Sequence, residues 1–213
     1  MNRMGNPVET PDERFTYRHY RTWPDSERWE LIDGHAWAMS PAPLRSHQKL
    51  SMRLSGWINS FLEGKPCEAY AAPFDVLLPE SDEADDEIET VVQPDIVVIC
   101  DKSKLTRAGA RGAPDLVVEI LSPSTSKKDQ REKFELYQKR GVREYWVIDP
   151  AGEWLCVYRL IQGRGREGGR LKDAAPCFDE GELRERGREY GPISSHVLEG
   201  FTVDPARLFA DLD

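Results

Sequence analysis

The sequence GAPDLVVEILSPSTSKKDQREKFELY, residues 112–137, predicts a strand followed by a helix and places a carboxylate where an apolar residue is expected. Its apolar run at 115–121 predicts a buried strand, yet Glu119 lies inside that run. Burying a carboxylate costs on the order of several kcal/mol unless a partner compensates. The partner of Glu119 is therefore the first thing to identify.

The flanking sequence predicts a single α/β domain with a mixed sheet. Helical and strand patterns follow in the order helix, three strands, helix, strand, which is typical of a layered α/β architecture. Two of the strands are apolar at consecutive positions, so we expect both faces of the sheet to be covered. The predicted elements are a short helix or extended entry at 16–22, a hairpin at 29–39 turning at Asp33–Gly34, a helix capped by Ser46 and reaching about 62, strands at 69–78, 91–100 and 116–121, a helix from Ser124 or Ser126 to about 140 ended by Gly141, strands at 144–148 and 154–160, and a strand and short helix within 196–212. We predict residues 1–27 to be an N-terminal arm and 28–213 to be one domain.

Carboxylates in these strands suggest one answer for Glu119. Asp95 opens the apolar strand 96–99, so neighbouring strands would bring Asp95 and Glu119 together, and Asp75 would add a third acid. Clustered carboxylates repel each other, and a divalent cation removes that cost. Magnesium held by Asp95 and Glu119 is one interpretation. A salt bridge to a nearby Lys or Arg is the other, because ion-pair networks also hold buried acids.

The helix after Glu119 supplies candidate partners. Asp129, Lys133 and Tyr137 recur at i, i+4 and i+8 and share a face, while Phe134 would anchor the helix to the sheet. Lys133 would then reach the carboxylates, where a cation stabilises charge on a phosphate. The alternative is an exposed Asp129–Lys133 pair worth a few tenths of a kcal/mol, about the value for helix-surface pairs.

The charge is unevenly distributed. The net charge is −9, and the run ESDEADDEIE at 80–89 contains seven acidic residues and no basic one, so the rest of the chain carries −2. We expect a solvated loop there, because the run lacks the ligand spacing of a calcium loop. The basic, glycine-rich stretch at 162–172 predicts a hairpin tip, with a phosphate-contacting loop as the alternative.

The cysteines and the hydropathy indicate a cytoplasmic location. Cys67, Cys100, Cys156 and Cys177 are widely spaced and form no CxxC pair, so we expect reduced cysteines in or near strands. No apolar run approaches the roughly 20 residues of a membrane span, and the first residues lack the apolar core of a signal peptide.

Several ordered motifs resemble the Uma-two family of restriction endonucleases, within the PD-(D/E)xK nuclease superfamily. They cover roughly residues 28–160, with a C-terminal extension at 200–209, and comprise WELIDGHAWAMSPAP (29–43), SHQKL (46–50), QPDIVVI (93–99), APDLVVEILSPST (113–125) and DQREKFELYQKRGVREYWVIDP (129–150). The resemblance implies a restriction-endonuclease-like mixed sheet flanked by helices, with extra hairpins, and Mg²⁺-dependent hydrolysis of DNA, with Mn²⁺ as the alternative ion.

The resemblance also assigns residues. Asp95 matches the PD acid and Glu119 the (D/E) acid, whereas the expected lysine position holds Leu121. Related lineages move that lysine to the following helix, which makes Lys133 the best candidate and Lys127 and Lys128 weaker ones. The accessory candidates are Glu30, in the ELIDG motif, His47, Asp75 and Tyr137.

The sequence leaves three hypotheses for the function. The first is a metal-dependent DNA endonuclease, expected as a homodimer whose two-fold symmetry matches that of duplex DNA, with Trp23, Trp37 and Trp154 as interface candidates. The second is a catalytically inactive nuclease fold that acts as a binding or regulatory module, favoured by Leu121 and by the acidic net charge. The third, a nucleotide-binding enzyme, is discounted because no GxxxxGK[ST] loop is present.

Overall fold

The computed structural model describes residues 13–24, 27–39, 44–122, 127–167, 170–173, 175–188 and 191–212, with the side chains of 127–129, 164–167 and 170–173 left undescribed. The α-helices in these residues are α1 (Tyr17–Tyr20), α2 (Arg45–Leu62), α3 (Lys127–Arg140) and α4 (Pro205–Leu208). The strands are β1 (Trp29–Ile32), β2 (His35–Ala38), β3 (Glu68–Ala71), β4 (Asp75–Leu77), β5 (Val91–Val92), β6 (Ile96–Ile99), β7 (Gly109–Arg111), β8 (Leu116–Ile120), β9 (Glu144–Asp149), β10 (Trp154–Ile161), β11 (Arg164–Glu167), β12 (Arg170–Asp173), β13 (Cys177–Phe178), β14 (Glu182–Glu185), β15 (Ile193–Ser194) and β16 (Thr202–Val203).

Two mixed sheets form the body of the domain, which confirms the predicted α/β class. The seven-stranded sheet has the order β13-β10-β9-β8-β6-β3, with β14 also pairing with β10, and the five-stranded sheet has the order β2-β1-β5-β4-β7. Strands β8 and β9 are parallel and α3 connects them, as a βαβ unit requires. The hairpin β11–β12 accounts for the glycine-rich stretch, and its tip lies outside the described residues.

Two of the predicted strands are wrong, because each is two shorter strands that belong to different sheets. The prediction at 69–78 corresponds to β3 in the larger sheet and β4 in the smaller one, and the prediction at 91–100 to β5 and β6. Pro73 and Pro94 lie at the two crossings. Proline lacks the N–H that a ladder needs, so a proline inside an apolar run marks the break.

The core has a layer on each face of the seven-stranded sheet. Even-numbered residues of β6 and β8 face α2 and the C-terminal segment, whereas odd-numbered residues face α3 and the five-stranded sheet. This alternation follows from the two-residue period of a strand. Because 119 is odd, Glu119 belongs on the face covered by α3, whereas Asp95 precedes β6 and lies where α2 can also reach it.

The helix and turn predictions are confirmed except at one cap. Asp33 and Gly34 adopt φ of 44° and 78° in the β1–β2 turn, and Gly141, with φ of 85°, ends α3. The predicted Ser46 cap is wrong: α2 begins at Arg45, and its N-cap residue, Leu44, has no side chain able to accept a hydrogen bond. The start of α3 at Ser124 or Ser126 lies outside the described residues.

The N-terminal aromatic residues pack against the five-stranded sheet. Phe15, Tyr20 and Trp29 surround Trp23 with ring centroids 5.4–5.7 Å apart, and Trp154 packs against the core layer under α3. Trp23 and Trp154, proposed from the sequence for a dimer interface, therefore have packing partners within their own chain.

The prediction of reduced cysteines is wrong for one pair. Cys67 and Cys100 form a disulfide, whereas Cys156 and Cys177 are free. The register of β3 and β6 places Glu68 opposite Ile99, so the next positions along the two strands face each other. The two cysteines are 33 residues apart in sequence, so no local pattern indicated that they pair.

The acidic run 80–89 is bridged to basic side chains. Arg111 contacts Asp85 at 2.9 Å, and Arg21 contacts Asp86 at 2.9 Å. Lys139 of α3 contacts Glu80 at 2.7 Å. The loop therefore joins α1, β7 and α3, a role that its composition did not reveal.

Candidate active site

Asp95 and Glu119 lie opposite each other at the end of the β6–β8 pair where β6 begins and β8 ends. The antiparallel register Ile96↔Val118 continues to positions 95 and 119. The backbone N–H of Ile120 donates to Asp95 Oδ2 at 2.7 Å, which fixes this carboxylate against β8. The structure thus brings the two acids together, as the sequence indicated.

Lys133 reaches this pair from α3. Its Nζ lies 2.9 Å from Glu119 Oε1 and 3.0 Å from Glu30 Oε1, and its side chain is 16% exposed. Tyr137, one turn further along α3, donates to Glu119 Oε1 at 2.7 Å. Phe134 packs on the rings of Tyr158 and Phe178, which holds this face of α3 toward the sheet. The exposed-pair alternative for Lys133 does not describe these contacts.

Leu121 occupies the position at which the family pattern has a lysine. It shares the face of β8 with Glu119 and packs, half-buried, in the core layer under α3. The ammonium of Lys133 therefore approaches Glu119 from above that face. The side chains of Asp129, Lys127 and Lys128 lie outside the described residues.

Glu30 enters the site from the five-stranded sheet. It is buried on β1, and its Oε1 accepts both Lys133 Nζ and the backbone N–H of Gln93, the latter at 2.9 Å. The site therefore sits where the two sheets meet, beside the Gln93–Pro94–Asp95 crossing.

His47 completes the cluster from the first turn of α2. Its Nε2 lies 3.3 Å from Asp95 Oδ2, and its buried Nδ1 has no hydrogen-bond partner among the described residues. Burial alone would lower the pKa of His47, but Asp95 and Glu119 outweigh burial and raise the pKa above its usual value.

Burial dominates the titration of Glu119. It raises the pKa of this carboxyl to about 7, with Lys133 acting in the opposite direction and Asp95 and Glu30 adding to the rise. For Lys133, burial would lower the pKa, but the carboxylates of Glu119 and Glu30 raise it above its usual value. The lysine is therefore a permanent cation beside an acid that titrates near neutrality.

In the described part of the chain, each acid is bonded through a single oxygen. Among the described residues, Asp95 Oδ2, Glu119 Oε1 and Glu30 Oε1 each have two partners, whereas Asp95 Oδ1, Glu119 Oε2 and Glu30 Oε2 have none. We call Glu30, Asp95 and Glu119 the acidic cluster. No group of three or more His, Cys, Asp or Glu side chains in the described residues has the arrangement of a metal site, but magnesium typically takes only one or two carboxylates, with water and phosphate as its other ligands. The free oxygens of Asp95 and Glu119 fit that requirement.

Asp75 lies beside the acidic cluster and is linked to it through Gln93. Its Oδ1 accepts Gln93 Nε2 at 2.8 Å and the Tyr20 hydroxyl at 2.9 Å. Sequence reasoning did not identify Gln93 or Tyr20. The position of Gln93 directly before the PD dipeptide was the available signal.

Comparison with known proteins now identifies the family. A family model, Uma2, described as "Putative restriction endonuclease", matches residues 17–175. The chain belongs to the Uma2 family. The matched region includes every residue of the acidic cluster together with His47, Lys133 and Tyr137.

Two relatives of this chain come from Synechocystis sp., and each is described as an uncharacterized protein. One is 30% identical over 158 residues, covering 73% of this chain and 79% of the relative. The other is 26% identical over 127 residues, covering 58% and 67%.

A crystal structure from Anabaena variabilis, described as "a putative nuclease belonging to DUF820", matches with a TM-score of 0.68. It is 20% identical to this Uma2 chain and covers 93% of this chain and 99% of its own. This likeness confirms the nuclease-like fold. No helix in the described part of the chain is long and apolar enough to cross a membrane.

Proposed function

We propose that this Uma2 protein is a metal-dependent endonuclease that hydrolyses DNA phosphodiester bonds. Asp95 and Glu119 would hold Mg²⁺, or Mn²⁺ in its place, and Lys133 would be the catalytic cation. The observation that supports this proposal most strongly is the convergence of Asp95, Glu119 and Lys133 on one place at the end of the β6–β8 pair.

Other buried acids of the same chain show what a structural carboxylate looks like. Glu144 accepts Trp146 Nε1 on Oε1 and two backbone N–H groups, those of His196 and Val197, on Oε2. Asp115 accepts Arg143 on Oδ1 and the Cys100 N–H on Oδ2. Both are bonded on both oxygens, as buried polar groups generally are. Asp95 and Glu119 are only partly buried, and each has one oxygen without a partner among the described residues, which leaves that oxygen available to a ligand.

The chain's own residues supply electrostatic stabilisation and positioning. A divalent ion bound to Asp95 and Glu119 would supply a Lewis acid and lower the pKa of water. Lys133 would donate a hydrogen bond to the phosphate oxygen on which negative charge develops, and its two carboxylate partners fix where its ammonium lies. Tyr137 would hold Glu119 Oε1 and so direct Oε2 away from α3.

Plasmid cleavage tests the proposal. We expect wild-type protein to nick supercoiled DNA with Mg²⁺ and to be inactive with chelator, and we expect Glu119→Gln to be inactive in both. Lys133→Met keeps the aliphatic stem and removes the charge, so we expect a loss of about 100-fold in rate with metal affinity little changed. Lys139→Met, on the exposed side of α3, is the matched control and should cleave normally.

A catalytically inactive binding module is the second candidate, favoured by Leu121 at the usual lysine position and by the net charge of −9. It predicts DNA binding by wild-type protein without any Mg²⁺-dependent cleavage. Equal, metal-independent nicking by wild type and Glu119→Gln would contradict the endonuclease proposal.

A further inference from the structure

Gln93 is fully bonded although it lies outside the set of predicted site residues. Its Nε2 donates to Asp75 Oδ1 at 2.8 Å and to the Tyr20 hydroxyl at 3.0 Å. Its Oε1 accepts Arg28 Nη2 at 2.8 Å and Arg28 Nε at 3.2 Å. These bonds use both amide hydrogens and both acceptor positions of the side chain. The rotamer of Gln93 is therefore fixed by residues of α1, β4 and the segment that enters β1.

The backbone of Gln93 carries this constraint into the acidic cluster. Its N–H donates to Glu30 Oε1, the oxygen that also accepts Lys133 Nζ. Two residues later the chain reaches Asp95, after the proline at which it crosses between the sheets. A hydrogen bond to a buried carboxylate is strong, but only while donor and acceptor stay aligned.

We propose that Gln93 is a positioning residue whose anchored side chain aims its own N–H at Glu30. The carboxylate is thereby held where it can share Lys133 with Glu119. Tyr20 completes the anchor, so helix α1 is part of the site's support. As a statement about catalysis this inference rests on the proposed function, whereas as a statement about the geometry of Glu30 it does not.

Tyr20 suits the role of a fixed donor. Burial and the adjacent Asp75 raise the pKa of its hydroxyl well above the usual value, which keeps the proton in place. It donates to Asp75 Oδ1 at 2.9 Å, the same oxygen that accepts Gln93 Nε2. Removing the hydroxyl therefore loosens Gln93 without touching Glu30 directly.

Amide hydrogen exchange at residue 93 tests the positioning. In chelator, we expect Gln93→Met to accelerate exchange of that amide about tenfold or more relative to the amide of Leu160, because a hydrogen bond to a charged group is weakened. The Leu160 amide bonds Arg143 O at 2.9 Å and reports stability elsewhere in the sheet. Tyr20→Phe should accelerate the same amide in the same direction, and Tyr17→Phe, on the same helix, should leave it unchanged. Unchanged relative exchange in both Gln93→Met and Tyr20→Phe would overturn the proposal.

A donor–acceptor swap separates positioning from packing. Gln93→Glu places a carboxylate against Asp75, so the anchor should fail and exchange should be fast. Adding Asp75→Asn restores a donor–acceptor pair between the two side chains, and exchange should return to within about threefold of wild type. If the double variant exchanges as fast as Gln93→Glu alone, the side-chain bond does not aim the amide.

The consequence for catalysis has its own measurement. If the wild-type protein cleaves DNA, Gln93→Met should lower kcat about tenfold and leave KM within about twofold. The variant disturbs the acidic cluster but does not alter DNA-binding surfaces away from it. Unchanged kcat with accelerated exchange would restrict Gln93 to a structural role. An inactive wild type would refute the proposed function and leave the exchange result to decide the positioning.

Discussion

Lys133→Met should destabilise the protein far more than removal of any exposed lysine. In the folded state its ammonium is the charged partner of two carboxylates, at 2.9 Å and 3.0 Å, and the side chains of Glu119 and Glu30 are only 13% and 7% exposed. Removing one member of a buried ion pair typically costs about 3–5 kcal/mol, because a charge stays behind in a poorly solvated site. Glu119 can relieve part of that cost by taking a proton, since its pKa is already raised to about 7. We therefore expect a loss of about 3 kcal/mol.

Urea unfolding at pH 7 in chelator measures this loss from the transition midpoint, provided that the slope with urea concentration stays constant. Lys139→Met is the matched control on the same helix: Lys139 is 61% exposed and pairs with Glu80 at 2.7 Å, so it should cost less than about 1 kcal/mol. The double variant Lys133→Met/Glu119→Gln should be more stable than Lys133→Met alone, because it removes one stranded carboxylate. Equal losses for the Lys133 and Lys139 variants would refute the buried-pair reasoning.

Three further predictions concern the titration of Glu119, the role of Glu144 and the oligomeric state. In chelator, the folded protein keeps a proton on Glu119 between about pH 4.5 and 7, whereas the unfolded chain has released it, so the free energy of unfolding should fall as the pH rises through this window. Glu119→Gln should flatten this pH dependence in urea titrations at several pH values. An identical slope for wild type and variant would contradict the raised pKa of Glu119. Glu144→Gln should lower the free energy of unfolding by about 2 kcal/mol, because hydrogen bonds to a buried charge are lost, and it should leave Mg²⁺ affinity unchanged in calorimetry. Loss of metal binding in this variant would contradict the distinction between Glu144 as a structural acid and Asp95 and Glu119 as metal ligands. Light scattering at micromolar concentration should give the mass of a homodimer, and a monomer mass would count against two-fold pairing of sites.

Local sequence rules predicted the part of the site that lies within one βαβ unit. The helical spacing of Lys133 and Tyr137 and the apolar setting of Glu119 indicated this contact over only 14 and 18 residues of sequence. They left an exposed Asp129–Lys133 pair as the alternative, and the resemblance to a family favoured Lys133. Glu30 is 103 residues from Lys133, and no periodicity encodes a contact of that kind. Its assignment came from the resemblance to a family.

The misses in the sheets and the cysteines share one physical cause. The division of two apolar runs between sheets and the Cys67–Cys100 disulfide depend on which strands become neighbours. Residue propensities do not determine strand neighbours, although the prolines inside the apolar runs could have revealed the breaks. The bonds of Gln93 likewise draw on three segments distant in sequence, so a polar residue beside a motif gave no sign of its partners.

Calorimetric titration of Mg²⁺ into the metal-free protein shows whether Asp95 and Glu119 form a metal site. The free oxygens of Asp95 and Glu119 should bind the ion jointly, so Asp95→Asn and Glu119→Gln should each weaken binding strongly. Asp115→Asn, which alters a buried acid already bonded on both oxygens, should bind Mg²⁺ as the wild type does. Unchanged affinity in both Asp95→Asn and Glu119→Gln would contradict the metal site on which the proposed nuclease depends.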